Sequence, residues 1–120
     1  MRIGILEDDT DNAILLNTRL GQAGHVTETY DDEMKLLGRL TFDPTRFDAL
    51  LLNWLVLKQP SKGQAIQHIR KVRPDIPILL ISTMPDEEFE SMQQLYKGVE
   101  ALRTLSEVIE SLKRAQNKGN

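Results

Sequence analysis

Acidic and amide side chains at the ends of apolar stretches are the first candidates for chemistry in this sequence. Glu7, Asp8 and Asp9 directly follow one apolar stretch, and a second apolar stretch ends at Asn53. Carboxylate and amide oxygens are both ligands for hard cations such as Mg²⁺. A carboxylate can also attack phosphorus, whereas a neutral amide oxygen is a poor nucleophile. These residues therefore predict an acidic pocket beside an amide that is a poor nucleophile.

Two further apolar stretches also end in polar side chains. Ser82 and Thr83 follow one of them, and Arg103 follows the other. If all these stretches are parallel strands, their carboxyl ends meet at one edge of the sheet, where ligands bind in such folds. We therefore expect a hydroxyl group and a guanidinium group beside the acids and Asn53.

The hydrophobic pattern predicts the elements that would hold these residues. Short apolar runs alternate with helical periodicity five times along the chain, which favours a parallel sheet with helices on both faces. The predicted strands are 2–6, 25–30, 47–53, 76–82 and 99–103, and the predicted helices are 11–24, 31–40, 64–73, 86–97 and 105–117.

Composition limits the function classes. The 120 residues are 40% hydrophobic, which suits one domain, predicted over 1–117 with a tail at 118–120. A net charge of -3 gives no electrostatic case for binding nucleic acid or an anionic membrane. There is no cysteine, and the sequence has no apolar run of the ~20 residues that a membrane-spanning helix needs. We expect a soluble cytoplasmic domain.

Four segments in order resemble the receiver domain of two-component response regulators. They are "RIGILEDD", "GQAGHVTETYDDEMKLL", "FDALLLNW" and "RPDIPILLIST", and the resemblance covers nearly the whole chain. It implies an α/β, flavodoxin-like (βα)5 fold, which is a doubly wound parallel sheet with strand order 2-1-3-4-5.

The resemblance also implies roles for individual residues. Glu7 and Asp8 match the acid pair, Asn53 occupies the phosphoacceptor position, and Ser82 matches the switch hydroxyl. The implied metal ligands are Glu7, Asp8, Asn53 and the backbone of Leu55. Because Asn53 removes one negative charge, we expect Mg²⁺ binding to be weak or absent and no other cofactor.

The family's lysine after the fifth strand has no counterpart in "VEALRTLSEV". Alignment on the strand end places Arg103 there as a replacement cation, whereas alignment on Gly98 places Leu105 there. The loss of the lysine is consistent with Asn53, because a cation that balances an acceptor and its phosphate is dispensable when neither charge exists.

The resemblance, with Asn53 in the phosphoacceptor position, implies one main functional hypothesis. We expect an atypical receiver, not an enzyme, that acts by phosphorylation-independent protein association. Its partner would be another protein, a linked DNA-binding effector domain or a second copy, and this domain itself would not bind nucleic acid or a membrane.

Two alternative functions stay open. A Mg²⁺-dependent phosphotransfer enzyme would use the acids at 7–9, but no general base or glycine-rich phosphate loop supports it. An ordinary phosphorelay receiver would need a substitute acceptor such as Asp48, which is at the start of the third predicted strand, away from the acids.

Overall fold

Five strands and four helices form the described part of this computed structural model, which covers residues 1–57, 62–82, 90 and 98–118. In chain order they are β1 (Arg2–Leu6), α1 (Thr10–Gln22), β2 (Val26–Tyr30), α2 (Glu33–Phe42), β3 (Ala49–Asn53), α3 (Lys62–Val72), β4 (Ile78–Ile81), β5 (Val99–Leu102) and the C-terminal helix (Leu105–Lys118). Apart from Glu90, the helix predicted over 86–97 lies outside the described residues. Thr83 and the tail residues 119–120 also lie outside them.

All strands are parallel, and their order in the sheet is β2-β1-β3-β4-β5. The predicted α/β flavodoxin-like fold with order 2-1-3-4-5 is therefore confirmed. In the sheet register, Leu6 pairs with Leu52, and Asn53 pairs with Ile81. This register brings the residues that follow β1, β3 and β4 to one edge of the sheet.

The central strand β3 is buried on both faces, as its unbroken apolar sequence predicts. Leu50 and Leu52 belong to a core cluster beneath α2 and α3. Ala49 and Leu51 point to the other face, where a second cluster lies beneath α1 and the C-terminal helix. The sheet thus holds Asn53 at the end of a rigid, fully packed strand.

The helix boundaries follow local capping chemistry. The Asp32 side chain accepts a hydrogen bond of 2.7 Å from the Met34 backbone N–H, so α2 begins at Glu33 rather than at 31. Helix α1 ends at Gln22, and Gly24 then takes a left-handed φ of 92°, which glycine adopts without strain.

None of the described helices is long and apolar enough to cross a membrane.

Side-chain bonds hold the edge strand β2 in place. Arg46 donates from Nε to Glu28 Oε2 and from Nη2 to Oε1, each at 2.7 Å. This hydrogen bond with Arg46 lowers the pKa of Glu28. On the other face of the strand, Thr27 and Thr29 both donate to the Asn17 side-chain oxygen of α1. The edge is therefore tied to the loop before β3 and to α1.

Candidate functional site

A cavity of about 330 Å³ opens at the carboxyl edge of the sheet. Four of the residues singled out by their position after a strand line it together: Glu7, Asn53, Ser82 and Arg103. The other lining residues are Asn12, Leu15, Leu16, Leu55, Ile81 and Leu105. The parallel register explains why these residues lie together, because the carboxyl ends of four strands meet at this edge of the sheet.

Asn53 uses both ends of its amide for bonds within the protein. Its Nδ2 donates to Glu7 Oε2 at 2.7 Å, and its Oδ1 accepts the Leu55 backbone N–H at 3.0 Å. The second bond closes a turn directly after β3. The amide thus links β1 to the loop after β3, and its oxygen points toward that loop.

Glu7 is buried, with only 4% of its surface exposed. Its Oε2 accepts from Asn53, and its Oε1 accepts from the Asp9 backbone N–H at 3.1 Å. Its own N–H donates to the Tyr30 carbonyl at 2.9 Å. A buried carboxylate needs such donors, because desolvation without them is costly.

The two members of the expected acid pair lie in different environments. Asp8 is exposed and is not among the residues that line the cavity. Of the two acids expected beside Asn53, the structure places Glu7 in the cavity lining. Successive residues at a strand end point in opposite directions, and only Glu7 points toward Asn53.

Ser82 and Arg103 both lie at the cavity, and neither is without a partner in the structure. Ser82 is buried, and its backbone N–H donates to the Leu102 carbonyl at 3.2 Å. This bond joins the ends of β4 and β5. Arg103 is half-buried and lies in the same cavity as Glu7, the position at which the sequence suggested a replacement cation.

The residues expected to hold Mg²⁺ do not fit a divalent cation in this arrangement. The amide N–H of Asn53 points at Glu7 Oε2, so a hydrogen-bond donor faces the oxygen that a metal would need. Asn53 Oδ1 accepts the Leu55 N–H, and Asp8 is exposed and is not among the residues that line the cavity. Among the described residues, no group of three or more His, Cys, Asp or Glu side chains could hold a metal ion.

The mouth of the cavity is apolar, which the sequence did not reveal. Leu15 and Leu55 are largely exposed at its rim, and Leu105 also lines it. Leu15 lies off the buried stripe of α1, which is formed by Leu16 and Leu20. The only signal for an apolar mouth was the exposed Leu15 next to the buried Leu16. This signal is weak, because single exposed leucines are common on protein surfaces.

Comparison with solved structures identifies the fold. A response regulator receiver domain protein from Clostridium thermocellum matches with a TM-score of 0.80 and 17% identity, covering 98% of this chain and 95% of that chain. A response regulator receiver protein from Sinorhizobium medicae WSM419 gives 0.81 and 18%, covering 98% and 94%. NtrX from Brucella abortus, in complex with ATP, gives 0.77 and 20%, covering 98% of this chain and 27% of that one.

These likenesses show that the chain has the fold of response regulator receiver domains. No protein-family model and no curated protein matches the sequence.

Proposed function

We propose that this chain is a receiver module of two-component signalling that acts by protein association without phosphorylation at Asn53. The hydrogen bonding of Asn53 carries this proposal. Its amide bridges Glu7 and the Leu55 backbone at 2.7 Å and 3.0 Å. The position where a receiver of the usual kind attacks a phosphoryl donor is thus occupied by a neutral group with both ends engaged.

Charge chemistry supports the absence of phosphoryl transfer. Attack on phosphorus needs an electron-rich oxygen, and the amide oxygen has no full charge to supply. A phosphoryl group placed here would also lie close to the buried Glu7 carboxylate, and like charges repel each other. The proposed function is therefore non-catalytic.

The positions of the other acids argue against the two alternative functions, a phosphotransfer enzyme and a receiver with a substitute acceptor. The phosphotransfer enzyme would need Glu7 and Asp8 around one cation, but Glu7 is bonded to Asn53 and Asp8 is exposed. Asp48 precedes β3, and its Oδ2 accepts the Arg2 backbone N–H at 2.8 Å at the amino edge of the sheet. That edge is opposite to the cavity.

The proposed partner is a protein. It is a linked effector, such as a DNA-binding domain, or a separate chain, with a second copy as a further case. The domain itself uses no cofactor and does not contact nucleic acid or membrane in this proposal. The match to about a quarter of a longer chain supports the idea that such a domain can operate within a larger protein.

Intact-protein mass spectrometry tests the proposal directly. The chain is incubated with acetyl phosphate and Mg²⁺, beside a receiver that is known to be phosphorylated as a control for the donor. We expect no hydroxylamine-sensitive phosphoryl adduct on this chain. A stoichiometric adduct on any aspartate would overturn the proposal, and its location at Asp48 would favour the substitute-acceptor alternative.

A further inference from the structure

The cavity at Asn53 lies where the strand order of the sheet reverses. The chain places β2 on one side of β1 and β3 on the other side, so the reversal falls between β1 and β3. Glu7 follows β1 and Asn53 ends β3, and the 2.7 Å hydrogen bond between their side chains spans this place. Open α/β sheets bind ligands in the crevice outside the strand ends at such a reversal.

The size of the cavity suits a small molecule. Its volume of about 330 Å³ is at the lower end of the range of about 300–1,000 Å³ that ligand sites have. One water molecule takes ~30 Å³ in the liquid, so the cavity accommodates roughly ten non-hydrogen atoms. A single amino acid has this size, whereas a nucleotide is too large.

Apolar side chains from several elements form one wall of the cavity. Leu15 and Leu16 belong to α1, Leu55 follows β3, Ile81 ends β4, and Leu105 begins the C-terminal helix. Leu15 is 51% exposed and Leu55 is 70% exposed. A ligand with an apolar group would cover part of this surface, which favours binding.

Two opposite charges line the same cavity, and they decide the charge of a suitable ligand. The Glu7 carboxylate is 4% exposed, and the Arg103 guanidinium belongs to a half-buried residue. A purely cationic ligand would be repelled by Arg103, and a purely anionic ligand would be repelled by Glu7. An uncharged ligand would remove water from both charges without replacing it. A zwitterion pairs with both.

Both charged groups have hydrogen-bonding capacity for such a ligand. Glu7 Oε2 accepts from Asn53, and Oε1 accepts from the Asp9 backbone N–H. Each carboxylate oxygen has two lone pairs, so each can accept a further bond from an ammonium group. Arg103 has a partner in the structure, but a guanidinium has five N–H donors and can hold a ligand carboxylate as well.

We infer that the cavity at Asn53 binds a small apolar α-amino acid. The ammonium group of the ligand pairs with Glu7, and its carboxylate pairs with Arg103. Its side chain lies against Leu15, Leu55 and Leu105. The bound ligand joins α1, the loop after β3 and the C-terminal helix. This inference rests on the proposed function, because it names the signal for an association module that is not phosphorylated.

Isothermal titration calorimetry with L-leucine, L-methionine and L-phenylalanine tests the inference. Each amino acid is compared with the matching amine, which lacks the carboxylate, and with the matching acid, which lacks the amino group. For leucine these analogues are isoamylamine and isocaproate. We expect at least one amino acid to bind with a Kd below about 1 mM. Its two analogues should bind at least about tenfold more weakly, because each leaves one charge of the cavity without a partner.

Variants assign binding to the cavity. Arg103→Gln should weaken the amino acid by at least about tenfold and leave the affinity of the matching amine no lower, a difference that a merely structural role would not produce. Leu55→Ser changes an exposed residue and should weaken the amino acid by roughly fivefold. Ile14→Ser is the control, because Ile14 is an exposed apolar residue of α1 that does not line the cavity. It should leave the affinity unchanged, and circular dichroism confirms that each variant is folded.

Three outcomes would overturn the inference. They are no binding of any of the three amino acids at about 10 mM, equal affinity for an amino acid and both of its analogues, and an affinity that neither Arg103→Gln nor Leu55→Ser lowers. The phosphorylation experiment uses no amino acid. A chain that stays unphosphorylated and binds none of these ligands would therefore contradict this inference and leave the proposed function intact.

Discussion

At the scale of single residues, the amide of Asn53 gives the buried Glu7 carboxylate the partner that a cation would otherwise supply. The 2.7 Å bond from Nδ2 stabilises a charge that is almost fully desolvated. An aspartate at the same place would put two carboxylates in contact, and such a pair needs a metal or a proton between them. The Asn53 amide and the Glu7 carboxylate therefore stabilise each other by a hydrogen bond and need no ion between them.

The variant Asn53→Asp should consequently be less stable than the parent chain at pH 7 in the presence of chelator. Losing the donor and adding a like charge beside a buried carboxylate should cost about 1–3 kcal/mol. Mg²⁺ should recover part of this loss in the variant, with little effect on the parent. Chemical denaturation with and without Mg²⁺ measures both quantities.

Asn12→Asp is the matched control, because it adds the same charge at the same cavity without breaking a bond to Glu7. Asn12→Asp should lower the free energy of unfolding clearly less than Asn53→Asp does. Asp8→Asn should have little effect, since Asp8 is exposed. Equal stability of Asn53→Asp and the parent in chelator would contradict the role given to the amide.

His25 is a second polar residue whose surroundings affect stability. It is buried, and its Nδ1 lies 3.2 Å from the Met1 ammonium. Burial, followed by the ammonium charge, lowers the pKa of His25 from 6.5. The unfolded state therefore binds this proton more readily, and the contribution to stability is present above pH 6.5 and is lost as pH falls through the folded pKa.

We expect the free energy of unfolding to decrease below pH 6.5 in a way that depends on His25. Urea denaturation between pH 7.5 and about 5 should give a shallower pH dependence for His25→Gln than for the parent chain. His68→Gln, which alters the exposed Thr41 contact, is the control and should keep the parent slope. If the two variants have the same slope, His25 is not the titrating group.

At the scale of elements, Arg70 of α3 and Arg73, which directly follows α3, secure the loops at the amino edge of the sheet. Arg70 donates to the Ile76 carbonyl at 2.6 Å and to the Gly98 carbonyl at 2.7 Å, so it joins the starts of β4 and β5. Arg73 donates to the Pro44 and Phe47 carbonyls before β3. Long-range bonds of this type leave no local signal in the sequence.

Gly98 should tolerate substitution poorly for this reason. Its φ is 75°, and a Cβ atom would lie 3.3 Å from Arg70 Nη2. Gly98→Ala should therefore destabilise the protein by about 1–2 kcal/mol, the cost of a left-handed residue with a side chain. Gly21→Ala in α1 is the contrast, because its Cβ would meet nothing within 4 Å. It should stabilise by about 0.5–1 kcal/mol. Thermal and urea unfolding compare the two, and a loss of stability in both would refute the distinction.

The strands and the helix stripes were predictable because they depend on local periodicity. The alternation of elements predicted five parallel strands, and Ile66 and Ile69 of α3, which are three residues apart, are both buried. Helix ends were less predictable, since Asp32 caps α2 rather than forming part of it. For the site, the predicted parallel strands indicated that the residues after β1, β3, β4 and β5 would lie at one edge of the sheet. The different environments of Glu7 and Asp8 depend on side-chain direction at a strand end. Two neighbouring carboxylates look alike in the sequence, so it could not predict which of them faces Asn53.

At the scale of the whole molecule, the sheet separates two apolar clusters that share β3. One contains Leu50 and Leu52 with residues of α2 and α3, and the other contains Leu51 with residues of α1 and the C-terminal helix. Because neighbouring residues of one strand belong to opposite clusters, we expect the two clusters to lose their packing together. The cavity at Asn53 and the packing on both faces of the sheet should therefore be lost together on unfolding.

Matched core substitutions test this coupling. Ile5 belongs to the cluster beneath α1, and Ile78 belongs to the cluster beneath α2 and α3. Ile5→Val and Ile78→Val remove the same methylene and should each cost about 0.5–1.5 kcal/mol. Trp54, the single tryptophan, packs against the cluster that contains Ile78 and so reports on that side of the sheet. In a cooperative unit, Ile5→Val shifts the urea midpoint of Trp54 fluorescence as much as it shifts the midpoint of far-UV circular dichroism. A tryptophan midpoint that moves only for Ile78→Val would mean that the two sides unfold separately, and stability would then have to be assigned to each side of the sheet.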